Sequence, residues 1–115
     1  MALVLLVEDD ANLLRALETL VGDTGYRVCT ASDGLKVMGT VCKERPDVVV
    51  FDVMMPGMDG VKFVRALKAV PALADIPVVM TSAAATAPEV AIHTFLAKPF
   101  SAATLLQVLR DVQPP

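Results

Sequence analysis

Two apolar patterns alternate along this chain, and that alternation limits its fold more than any other feature. Short runs rich in β-branched residues are each followed by a longer stretch with helical spacing. The first run, Ala2–Val7, is apolar throughout rather than every second residue. A strand covered on both faces reads this way, whereas a strand with one wet face alternates. Further runs lie at Arg27–Ala31, Val48–Phe51, Ile76–Thr81 and His93–Ala97. Between them, Leu13, Leu14, Leu17, Leu20 and Val21 recur at helical spacing behind the capping residue Asp10. Gly22 and Gly25 suit the end of that helix. Asp33 caps a second helix with Leu35, Met38, Val41 and Cys42 on one face, and Pro46 stops it. Pro56-Gly57 and Asp59-Gly60 are turn signals, and Asp59 reads as a turn former or cap. A helix over about 59–69 offers Val61, Val64, Ala66, Leu67 and Val70 for burial, and Pro71 ends it. Ser101 caps the last helix, which carries Leu105, Leu106, Val108, Leu109 and Val112. Strands alternating with helices imply a parallel sheet covered by helices on both sides.

Composition narrows the function classes. With 115 residues the chain is about one domain. Hydrophobic residues make up 55% and charged residues 20%, which excludes disorder. The net charge of −3 gives no basic surface for phosphates, so direct nucleic-acid binding is not expected. The longest apolar run, Met1–Val7, is far short of the ~20 residues that span a bilayer. It lacks the flanks of a signal peptide, so a cytoplasmic protein is expected. Cys29 and Cys42 make no disulfide framework and read as small buried hydrophobes. The single histidine, His93, reads as a surface or strand-edge residue.

In open parallel sheets the reactive groups lie beyond the carboxyl ends of the strands. Glu8, Asp9 and Asp10 follow the first strand, Asp52 the third, Ser82 the fourth and Lys98 the fifth. Adjacent strands are ~4.8 Å apart, so the fold gathers acids that are distant in sequence. Their mutual repulsion calls for a hard divalent cation with oxygen ligands, and Mg²⁺ commonly takes one or two carboxylates, waters and a phosphate oxygen. Asp10 reads as a helix cap instead. Asp52 is the candidate nucleophile, because a carboxylate can form an aspartyl phosphate. Lys98 and the cation would neutralise the transferring phosphoryl group, and Ser82 would donate a hydrogen bond to it.

Four motifs carry a resemblance. Val7-Glu8-Asp9-Asp10, Phe51-Asp52-Val-Met-Met-Pro-Gly-Met-Asp-Gly60, Met80-Thr-Ser-Ala83 and Ala97-Lys98-Pro99-Phe100 resemble the receiver domain of two-component response regulators. The likeness covers essentially the whole chain. It implies a doubly wound, flavodoxin-like sheet of five parallel strands in the order 2-1-3-4-5, as one receiver domain over 1–115 with 113–115 a candidate linker start. Asp52 matches the phosphoacceptor. Glu8 and Asp9 match the acidic pair that holds Mg²⁺, with Asp9 the more direct ligand, and Met54 the backbone carbonyl that completes the metal site. Ser82 matches the switch hydroxyl, with Thr81 as the competing candidate. Lys98 matches the lysine that pairs with the phosphoryl group, its bond to Pro99 being cis in relatives, and Phe95 the aromatic switch position. The implied function is a phosphorelay switch. It receives a phosphoryl group from a histidine kinase or phosphotransfer protein, catalyses only its own phosphorylation and dephosphorylation, and acts on a downstream protein or output domain. A homodimer is a further candidate assembly.

The chain departs from the pattern between Ser82 and Lys98, a stretch roughly six residues shorter than in relatives. The fourth helix of the family would therefore be short or absent, which is expected to leave part of one sheet face thinly covered and residues 83–95 mobile or bound to a partner. Two other readings compete with the switch: a constitutive binding module that keeps the motif without phosphate, and a small aspartyl-phosphate phosphatase.

Overall fold

The computed structural model of the chain describes residues 2–31, 34–52, 60–82, 94–98 and 100–112. Expectations for Asp33, Met54, the turns at 56–57 and 59–60, Asp59, residues 83–93, Pro99 and residues 113–115 lie wholly or partly outside the described residues. The element order is β1 (Leu3–Val7), α1 (Ala11–Asp23), β2 (Arg27–Ala31), α2 (Gly34–Glu44), β3 (Val48–Asp52), α3 (Gly60–Ala69), β4 (Val78–Ser82), β5 (Thr94–Ala97) and α4 (Ala102–Val112).

The strands form one parallel sheet in the order β2-β1-β3-β4-β5. Every residue of β1, β3 and β4 is buried, which explains their unbroken apolar character. Within those strands, neighbours still point to opposite sides. Leu5, Val7, Val49, Phe51, Val78 and Met80 pack under α2 and α3. Val4, Leu6, Val48, Val50 and Val79 pack under α1 and α4. A fully buried Val, Leu or Phe contributes about 1.5–3 kcal/mol, so the two layers supply the drive to fold.

The caps work as the sequence implies. Asp10 Oδ1 accepts the N–H groups of Asn12 at 3.0 Å and Leu13 at 3.2 Å. Ser101 Oγ accepts the N–H of Thr104 at 3.1 Å. Gly25, just past α1, has φ +101, a conformation that glycine adopts without a Cβ clash. Asp47 ties the base of the sheet together: its N–H donates to the Leu3 carbonyl and its Oδ2 accepts the Leu3 N–H at 2.7 Å.

Several expectations are corrected. On α2 the buried pair is Val37 and Val41, while Met38 is half-buried and Cys42 is exposed. Successive helical residues lie about 100° apart. Once Val37 and Val41 face the sheet, Cys42 turns outward; Cys29 alone packs against the core. On α3, Phe63 joins Val64 and Leu67 in the core, while Ala66 and Val70 are exposed. Its ring stacks on Phe51 with centroids 4.6 Å apart, and that contact sets the rotation of the helix. Ile76 is buried but precedes β4, because pairing starts at the Pro77 carbonyl, which accepts the Val49 N–H. The α2/α3 side of β4 is not thinly covered: Val78, Met80 and Ser82 are all buried, with Leu73 and Ile76 packed into the same layer.

Candidate functional site

The site is built where β1 and β3 end side by side. Val7 pairs with Phe51 in register, so Glu8 and Asp52 come next to each other one residue later. Both side chains are buried. Asp9 follows on the exposed side of the turn. One oxygen from each of Glu8, Asp9 and Asp52 lies within 4.8 Å of the others. These are the three carboxylates that the sequence brings together. Asp10 is not among them, because its oxygen caps α1.

Lys98 completes the cluster. Its backbone N–H donates to the Ser82 carbonyl at 2.7 Å, which continues the β4–β5 ladder by one residue. From there its Nζ reaches Glu8 Oε1 at 2.8 Å and Asp52 Oδ2 at 3.1 Å. The Glu8 carboxylate is held at both ends, since Oε2 accepts the Asp10 N–H at 3.3 Å. Burial raises the Glu8 pKa above its ordinary value, and neighbouring Asp52 adds to the rise while Lys98 opposes it. Burial also works against the Lys98 ammonium, but the hydrogen bonds and charges of Glu8 and Asp52 outweigh it and raise the pKa. Among the described residues the site thus holds three acids against one close cation, and the acids offer hard oxygen donors. That set fits a small divalent cation, which takes one or two carboxylates and fills its other positions with water or phosphate oxygens.

Ser82 is fully buried at the end of β4 and shares the strand side of Val78 and Met80. Thr81 is also buried, and it is the register partner of Asp52. Phe95, the register partner of Met80, is half-buried against the α2/α3 layer. Two features escaped the sequence reading. The Glu8–Lys98 contact joins residues 90 apart in sequence. An apolar cavity of about 440 Å³ opens beside Lys98, walled by Leu13, Leu17 and Leu20 of α1 and by Phe100. The spacing of the leucines was visible, but not that Phe100 would leave part of them uncovered.

The sequence pattern of the response regulator receiver domain matches residues 4–110. The chain belongs to this family. As a receiver domain it is a phosphoacceptor signalling module of two-component systems. It is 37% identical over 109 residues to the transcriptional regulatory protein PrrA of Mycobacterium tuberculosis, covering 90% of this chain and 46% of that protein. It is 35% identical over 115 residues to the probable transcriptional regulator ycf27 of Guillardia theta, covering 95% of this chain and 44% of that one. The chain therefore spans less than half the length of these relatives. Among solved structures, the chemotaxis response regulator CheY4 of Vibrio cholerae superposes with a TM-score of 0.89 at 35% identity, over 97% of this chain and 98% of that one. The receiver domain of the sensor histidine kinase PA1611 of Pseudomonas aeruginosa, with a magnesium ion coordinated in its active site cleft, gives 0.88 at 27% identity over 96% and 95%. The receiver fold expected from the motifs is thus the one found. No helix among the described residues is long and apolar enough to cross a membrane.

Proposed function

We propose that Asp52 is the phosphoacceptor and that a phosphohistidine on a histidine kinase or phosphotransfer protein is the donor. The observation that carries this reading is the reach of Lys98 across the sheet to Asp52 Oδ2, at 3.1 Å, beside the carboxylates of Glu8 and Asp9. An Asp52 oxygen attacks phosphorus, the P–N bond of the donor breaks, and the released imidazole takes up a proton. Lys98 offers its positive charge to the phosphoryl oxygens, and Ser82 its hydroxyl. Glu8, Asp9, Asp52 and the backbone carbonyl of Met54 would hold Mg²⁺, which neutralises phosphoryl charge when bound. Asp9, being exposed, is the more direct ligand, whereas Glu8 is already engaged by Lys98 and the Asp10 N–H.

On this reading the domain catalyses only its own phosphorylation and dephosphorylation. Phe95 and Ser82 report the change to a downstream protein, an output domain or a second copy of the chain. Residues 1–115 act as one receiver unit in the cytoplasm. A constitutive module is disfavoured by the complete acid–lysine cluster, and a phosphatase by the place of the best nucleophile, after the third strand rather than the first. The test is intact mass after incubation with acetyl phosphate, with and without Mg²⁺. One phosphoryl adduct is expected that needs Mg²⁺ and is absent from Asp52→Asn. An adduct that persists in Asp52→Asn would overturn the assignment.

A further inference from the structure

Lys98 stands on β5 and its two carboxylate partners on β3 and β1, so its side chain has to cross the end of β4. The β4 residue facing the same way at that level is Thr81. It pairs in register with Asp52 on one side and Leu96 on the other. It also shares the strand side of Val79, which packs under α1 and α4. Strand alternation sends Ser82, the neighbouring hydroxyl, to the opposite side. Thr81 thus lies beneath the path of the lysine.

Its hydroxyl has no hydrogen-bond partner among the described residues. Among the described residues, every side-chain oxygen or nitrogen that is fully shut off from solvent does have a partner. The Thr81 oxygen therefore keeps a trace of solvent access, although the residue as a whole is buried. A β-branched apolar residue would fill this place equally well, so the hydroxyl is not needed for packing. An ammonium carries three N–H donors. Lys98 spends two, on Glu8 and Asp52, and the third has no described acceptor. An unused donor and an unused hydroxyl thus lie on neighbouring strands, on the side of the sheet that carries Asp52.

We propose that Thr81 is a positioning residue for Lys98: its hydroxyl accepts an ammonium N–H when Asp52 no longer holds the lysine, and so keeps the charge at the acceptor. The inference rests on Asp52 being the phosphoacceptor, and its test separates the two. Thr81→Val keeps the shape and removes the hydroxyl, while Thr81→Ser keeps the hydroxyl and removes a methyl. The adduct from acetyl phosphate is expected to form 3- to 10-fold more slowly in Thr81→Val than in the parent. The Ser variant should stay within 2-fold, and the melting temperature of the Val variant should be nearly unchanged. A second readout needs no phosphate. The ¹⁵N resonance of Lys98 Nζ, followed while Mg²⁺ is added, should end at a different position in Thr81→Val and at the parental one in Thr81→Ser. Equal rates and equal end points in the Val variant and the parent overturn the proposal, as does a Ser variant impaired as much as Val. A parent that takes no adduct refutes the acceptor reading instead, and the Lys98 resonance then decides this inference alone.

Discussion

The Glu8 carboxyl has little access to water and lies next to a second buried acid, and Lys98 only partly offsets the cost of its charge. Its pKa lies above the ordinary 4.5, so the folded protein holds that proton more tightly than the unfolded chain does. The stability linked to it is full below pH 4.5 and is lost as the pH rises through the folded value. In metal-free protein, Glu8→Gln is therefore expected to melt higher than the parent at pH 7, with the gap closing below pH 4.5. Thermal melts in a chelator across that range check this, and a parent that melts higher at pH 7 contradicts it. Lys98 also has a raised pKa, above the ordinary 10.5, through the bonds to Glu8 and Asp52 that outweigh its burial. Its contribution is present below pH 10.5 and is lost as the pH climbs through the folded value. Lys98→Met should thus lower the metal-free melting temperature at pH 7, and this deficit should shrink in strong alkali. These acids and the lysine were legible in the sequence because parallel strands must end side by side. Their pairing was not, because it depends on how far a lysine side chain reaches across the sheet.

The elements show where apolar spacing stops being decisive. On α2 the apolar spacing pointed to a face that includes Met38, Val41 and Cys42, and contact with the sheet selects Val41 together with Val37 instead. On α3 the choice was made by Phe63, which finds the Phe51 ring. Phe63→Ala is accordingly expected to cost about 3–5 kcal/mol, measured by denaturant unfolding. A loss under about 1 kcal/mol would show that the stack contributes little. The end of α2 has the opposite character. Arg45 takes φ +47, where a side chain is strained and glycine is not. Arg45→Gly should raise the melting temperature by a few degrees; a fall would mean that the arginine side chain contributes more than its strain costs. On α1 the partly uncovered leucines border the site. If they receive the donor protein, Leu13→Glu should slow phosphoryl transfer from a histidine kinase at least 10-fold and leave labelling by acetyl phosphate within 2-fold. Equal slowing of both would place the effect on the site itself.

For the whole molecule, the parallel sheet and its two helix layers follow from one alternation of apolar patterns, whereas the sheet order and the family were legible only through the resemblance of four motifs to receiver domains. The coverage of β4 did not follow from it. The short connection to β5 pointed to an open face, yet Leu73 and Ile76, from the segment before β4, pack into the layer that buries Val78 and Met80. Binding at the acid cluster acts on the global folding equilibrium. At Mg²⁺ 100-fold above its dissociation constant the fold should gain about 2.7 kcal/mol. Asp9→Asn should keep only a small part of that gain, as read by melts with and without Mg²⁺. The central claim is that the phosphoryl group sits on Asp52, and the most direct measurement locates it. An acyl phosphate on aspartate is reduced by borohydride to homoserine, which peptide sequencing by mass spectrometry can place in the chain. After labelling with acetyl phosphate and Mg²⁺, homoserine is expected at position 52. Homoserine at position 9, or labelled protein with no homoserine at all, would contradict the account.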